Sequence, residues 1–123
     1  MRIILDIETT ETFDNIWCVV CRDVDTDIVS TFTKPDNLQS YLDSAESIIA
    51  HNGIFFDFSV LSRLWKIQVK PNQIIDTLVL SRLYNPSIED GHSLEAWGKR
   101  LGFLKTEFND FSKFTQELSL IHI

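Results

Sequence analysis

Met1-Arg2-Ile3-Ile4-Leu5-Asp6-Ile7-Glu8-Thr9 is the stretch on which the fold of this chain turns. Its aliphatic residues run almost without a break, as in a strand covered on both faces. Asp6 and Glu8 interrupt that run two residues apart, so on an extended backbone both carboxylates leave the same face. Acids side by side on a sheet repel each other, and a hard divalent cation, Mg2+ or Mn2+, relieves the repulsion. The same pair also reads as a solvated strand end.

Outward from this strand the pattern stays extended. Ile16 to Arg22 forms a second strand, Asp23 to Asp27 supplies turn chemistry, and Ile28 to Thr33 forms a third. Connections this short make the three strands antiparallel neighbours. Leu38, Tyr41 and Leu42 then fall at helix spacing behind Asp36 or Asn37 as the cap. Ser47 to Ala50 is a brief strand, and from Asp57 onward Phe58, Leu61, Leu64 and Trp65 trace an amphipathic helix that Lys70-Pro71-Asn72 stops. Gln73 to Ile75 reads as a short strand and Asp76 to Tyr84 as a helix. A last helix, Leu94 to Leu101, lies between a capping Ser93 and Gly102. The expected fold class is α/β: a mixed sheet of three antiparallel strands, then shorter parallel strands, flanked by helices.

A second acid site sits in His51-Asn52-Gly53-Ile54-Phe55-Phe56-Asp57. Asp57 opens a helix, where the dipole favours a carboxylate, so it reads either as a helix-terminal acid or as a ligand. Acids at a strand end and at a helix start can converge on one cation. Gly53 is expected to take backbone angles that other residues avoid. Asp76 stands at another strand-helix junction, and capping explains it better than ligation.

Composition narrows the alternatives. With 123 residues and 44% hydrophobic content the chain forms one domain with a real core. No run is long enough to span a membrane, so the expectation is a cytoplasmic protein with no membrane partner. Cys18 and Cys21 form a C-x-x-C, but three apart on a strand they point to opposite faces, which disfavours a disulfide or a zinc site. The net charge of −7 disfavours a general nucleic-acid coat. It permits an enzyme that grips a few nucleotides through bound cations, because acids that hold metal no longer repel phosphate.

Taken in order, these segments resemble a known family. Asp6-Ile7-Glu8-Thr9 is similar to the first motif of the DnaQ-like (DEDD) 3′–5′ exonucleases, which have an RNase H-like fold, and His51 to Asp57 is similar to the second. Ile75 to Leu83 and His92 to Gly102 look like downstream segments of the proofreading domain of bacteriophage family-A DNA polymerases. The likeness covers about residues 1–118, taken as a partial exonuclease domain, with 119–123 as a truncated or non-native tail. It implies a two-metal phosphodiester hydrolase using Mg2+ or Mn2+. By the same resemblance Asp6 would hold both ions, Glu8 and Asp57 would complete their shells, and Thr9 and Asn52 would lie against the terminal nucleotide. Phe56 would be a wedge beside the last base or a packing residue. Arg82, Lys99 and Arg100 would reach phosphates or simply solvate helix faces. The implied partners are a single-stranded DNA 3′ end and a polymerase domain, within a bacterial or phage-infected host cell.

One part of the family pattern is missing. Its third motif carries an Asp a few residues after a Tyr or His, and no Asp follows Asp110. Glu117 and His122 do not replace it, so impaired catalysis is expected of this chain. Two other readings stand beside the DNA exonuclease: an RNA-trimming member of the same group, and a non-catalytic nucleic-acid-binding remnant.

Overall fold

A computed structural model describes residues 1–102. The tail at 119–123, Glu117 and His122 fall outside the described residues. Among the described residues five strands form one sheet in the order β3-β2-β1-β4-β5: β1 Arg2–Thr9, β2 Ile16–Asp23, β3 Val29–Phe32, β4 Ser47–Ala50 and β5 Ile74–Asp76. β1 pairs antiparallel with β2, and β2 with β3, while β4 runs parallel to both β1 and β5. This is the mixed sheet that the sequence predicts. Ile28 falls outside β3 and is exposed.

Among the described residues four helices flank the sheet: α1 Leu38–Asp43, α2 Asp57–Trp65, α3 Thr77–Tyr84 and α4 Leu94–Leu101. Strand alternation sends Ile3, Leu5 and Ile7 to one face of β1, where they join Leu38 and Leu42 of α1 and Phe58, Val60 and Leu61 of α2 in the main core. Cys21 lies in that core, whereas Cys18 packs with Val20 and Val29 in a separate cluster. The two thiols are therefore on opposite faces, free and buried. Burial pushes both up to about 12; for Cys18 the carboxylates of Glu8 and Asp6 add to the effect. Neither thiol is poised to ionise, pair or bind metal.

Several boundaries differ from the sequence reading for local reasons. α1 has Asn37 at its N-cap in a left-handed conformation (φ 66°) with no side-chain capping bond, so neither Asp36 nor Asn37 caps it as expected. α2 ends at Trp65, before Lys70, because Lys66 turns left-handed at φ 59°. A single 3-10 turn, Pro71–Gln73, then precedes β5. Ser93 caps α4 through the Ala96 amide, and Gly102 ends it at φ 80°. Among the described residues no helix is long and apolar enough to cross a membrane.

Candidate active site

The register of the central strands creates the site. β4 pairs with β1 only along Arg2, Ile3 and Ile4, then stops at Ala50 while β1 runs on to Thr9. The upper part of β1 thus faces no strand on that edge. The start of α2 fills the gap. Asp57 is the first residue of α2, only 3% exposed, and its carboxylate accepts a hydrogen bond from the Ile7 backbone. It satisfies a strand amide that β4 leaves without a partner strand.

This placement carries an electrostatic cost. Burial pushes the Asp57 carboxyl up to about 8; the neighbouring Asp6 carboxylate raises it further, and its backbone hydrogen bonds only partly offset the shift. Asp57 is therefore close enough to Asp6 to feel its charge. Glu8 shares the Asp6 face of β1, since residues 6 and 8 pair with Val20 and Cys18 of β2 and both charges act on the Cys18 thiol.

Convergence of all three acids on a single point is not what the structure shows. Among the described residues, no group of three His, Cys, Asp or Glu side chains is close enough to hold one metal ion. Asp6 and Glu8 stand two residues apart on β1, roughly 7 Å along the strand, and the β1–β2 register shifts between Glu8 and Thr9. Asp57 lies beside Asp6 and Ile7, and Glu8 lines a cleft. The donor set nonetheless fits a hard divalent cation, because a nearly buried carboxyl beside a second carboxylate is relieved by positive charge.

That cleft has a volume of about 780 Å3 and is lined by Glu8, Thr9, Thr10, Phe13, Trp17 and Phe56 among others. Three of the residues singled out in sequence, Glu8, Thr9 and Phe56, meet here. Phe56 is half-buried against the main core and meets Phe13 edge-on, with ring centroids 5.3 Å apart. Packing and cleft lining are both true of it. Phe13 and Trp17 are aromatic walls that sequence reasoning missed, although Phe13 follows the Asp6-Glu8 motif closely. The Thr10 hydroxyl builds the loop that presents Phe13: it donates to Asp14 (2.6 Å) and accepts from the Asp14 and Asn15 amides. Arg63 of α2 holds the Phe13 carbonyl from the other side. The Thr9 hydroxyl donates to the Thr10 carbonyl at 3.0 Å.

Asn52 does not line the cleft. It lies in the turn after β4 with φ 61°, so the left-handed residue of this turn is Asn52 and not Gly53. Gly53 is needed for space instead: a Cβ there would stand 2.7 Å from the Ala50 Cβ and 2.9 Å from the Phe58 ring. Asp76 caps α3 by accepting the Leu78 amide. Arg100 stacks over Trp97 at 4.7 Å and donates to the carbonyls of Glu89 and Gly91, and Lys99 pairs with Glu95 at 3.6 Å. Both cations are accounted for by α4 and its approach loop.

The site thus lies on a mixed five-stranded sheet flanked by helices, with acids on its central strand and at the start of the helix after β4. The chain is 32% identical over 149 aligned positions to a DNA-directed DNA polymerase of Escherichia phage T7, covering 94% of this chain and 21% of that protein. It is 34% identical to a DNA-directed DNA polymerase of Enterobacteria phage T3, covering 68% of this chain and 16% of that protein. The chain therefore spans about a fifth of the length of these relatives. No family model matches it. The crystal structure of an EXD2 exonuclease domain soaked in Mn and dGMP superposes with a TM-score of 0.51 at 14% identity, covering 98% of this chain and 71% of that one. The chain is thus similar in sequence to part of two phage DNA polymerases and similar in fold to an exonuclease domain.

Proposed function

We propose that this chain is the 3′–5′ exonuclease part of a phage-type DNA polymerase, hydrolysing the terminal phosphodiester of a single-stranded DNA 3′ end. The observation that carries the reading is the insertion of Asp57 against β1, where it meets Asp6 and the Ile7 amide. A buried acid beside a second carboxylate is costly for stability alone and useful for holding Mg2+ or Mn2+. Divalent cations held there would activate a water for attack on phosphorus and steady the departing oxygen. The residues of the chain have distinct parts in this. Asp6 and Asp57 would supply oxygen ligands, Asp57 in its carboxylate form. Glu8 adds a carboxylate from the cleft side. Thr9 and the walls formed by Phe13, Trp17 and Phe56 receive the terminal nucleotide, where aromatic faces stack on bases of any sequence. Asn52 is assigned to the strand end by its motif alone.

The phage relatives support DNA over RNA and support a polymerase domain as the working partner, in the cytoplasm of a bacterial or phage-infected host. Calorimetric titration with Mn2+ tests the metal reading: the chain should take up the ion and Asp6→Ala should lose it. Identical isotherms for the two would sink the proposal. Digestion of matched DNA and RNA oligonucleotides labelled at the 5′ end then decides the substrate, with slow stepwise shortening of DNA expected, in keeping with the impaired catalysis expected of this chain.

A further inference from the structure

Asp76 ends β5 directly across from Ala50, the last residue of β4. Its side chain is buried and serves three backbone amides at once. Oδ1 accepts from Leu78 at 3.0 Å and from Asn52 at 2.9 Å, and Oδ2 accepts from Ile54 at 3.1 Å. The Leu78 bond is an ordinary N-cap for α3. A hydroxyl would do that much, as Ser93 does for α4. The other two bonds belong to a different segment, the turn that joins β4 to α2, and they use both oxygens of a carboxylate.

That turn delivers Asp57. The Asn52 carbonyl accepts the Phe56 amide at 3.0 Å, and the Gly53 carbonyl accepts the Phe58 amide at 2.9 Å. The residues pinned by Asp76 thus bracket the carbonyls that receive the entry of α2. Asn52 is moreover held at φ 61°, a conformation that a residue other than glycine adopts at some cost. Releasing the two amides would free the turn to relax, and Asp57 would move relative to Ile7 and Asp6.

We infer that Asp76 is a positioning residue for the metal site: it clamps the Asn52–Ile54 turn so that Asp57 stands ready to ligate beside Asp6. This deepens the exonuclease reading and rests on it for the identity of the ligand, although the clamp itself does not.

The test separates clamping from capping. Asp76→Ser keeps a hydroxyl for the Leu78 amide and drops the other two bonds. Asp76→Asn is the second variant: its carbonyl oxygen retains the Asn52 and Leu78 bonds while its amide nitrogen opposes the Ile54 N–H. The control for general destabilisation is Gln73→Ala at the opposite end of β5, which removes a buried amide bonded to the carbonyls of Leu42 and Ala45. Amide exchange and Mn2+ titration are read on all four chains. In Asp76→Ser the amides of residues 52 and 54 should exchange at least tenfold faster while Leu78 stays protected, and Mn2+ affinity should fall at least tenfold. Asp76→Asn should speed exchange at Ile54 alone. Gln73→Ala should leave both readouts within about threefold of the parent. Unchanged exchange at 52 and 54, unchanged Mn2+ affinity, or an equal loss in Gln73→Ala would each overturn the inference. If the parent itself takes up no Mn2+, the exonuclease reading has failed and the metal role of Asp76 falls with it, and the exchange data alone then report whether the clamp exists.

Discussion

Replacing Asp57 by asparagine should make the metal-free chain more stable at neutral pH while removing its affinity for divalent cations. The folded carboxyl is pushed up to about 8 from an ordinary 3.8. Below pH 4 it is protonated in both folded and unfolded chains and carries no penalty. As pH rises from 4 to 8 the unfolded chain gives up the proton and the folded chain keeps it, so stability falls across that window and the loss is complete above 8. At about 1.4 kcal/mol per tenfold change in proton affinity, the penalty at pH 7 is about 4 kcal/mol. In Asp57→Asn the new carbonyl oxygen can keep the Ile7 amide and the new N–H group faces Asp6, but imperfect satisfaction of a buried donor returns about 1–3 kcal/mol. A net gain of about 2 kcal/mol follows, which moves the urea midpoint by about 1 M at the slopes usual for small domains. The assay is urea unfolding in EDTA at intervals from pH 4 to 8, for parent and variant. The parent midpoint should fall with pH relative to that of the variant, and Mn2+ should rescue the parent alone. Parallel pH profiles for the two chains would refute the burial argument.

Three other perturbations probe the rest of the structure. Gly53→Ala forces a methyl group against Ala50 and the Phe58 ring; overpacking of this kind costs about 1–3 kcal/mol, read as an earlier thermal transition with a parallel loss of Mn2+ affinity. Cys18 and Cys21, both held near 12, should leave a disulfide reagent unreacted at pH 8 until urea unfolds the chain; rapid native reaction would contradict their burial. Trp17→Ala removes one wall of the cleft and should weaken binding of a short single-stranded DNA by about 1–3 kcal/mol, the usual worth of one stacked base, as measured by fluorescence anisotropy of a labelled oligonucleotide.

Much of the fold is visible in local pattern. The aliphatic run before Asp6, the turn at Asp23 to Asp27 and the stripe at Phe58, Leu61, Leu64 and Trp65 report period and boundary chemistry, both local properties, so β1, β2 and α2 follow from neighbours in sequence. Ser93 and Gly102 mark α4 for the same reason. Residue identity also places Asp6 and Glu8 on one face, because alternation along a strand needs no knowledge of its partners.

Tertiary structure decided what lies between distant segments. That Asp57 reaches the Ile7 amide depends on β4 stopping at Ala50 while β1 continues, a matter of register between strands more than forty residues apart. Asp76 looks like a simple cap in sequence, yet becomes a clamp because Ala50 is its neighbour across β4 and β5. Phe13 becomes a wall of the cleft because the loop between β1 and β2 folds against Phe56 and Arg63, while Trp17 joins it from β2. Gly53 departs from its sequence expectation for a related reason: crowding from Ala50 and Phe58, not its own backbone angle, excludes a side chain. Local sequence sets which conformations each segment prefers; pairing register and packing between segments set which atoms meet, and the chemistry of this site depends on the second.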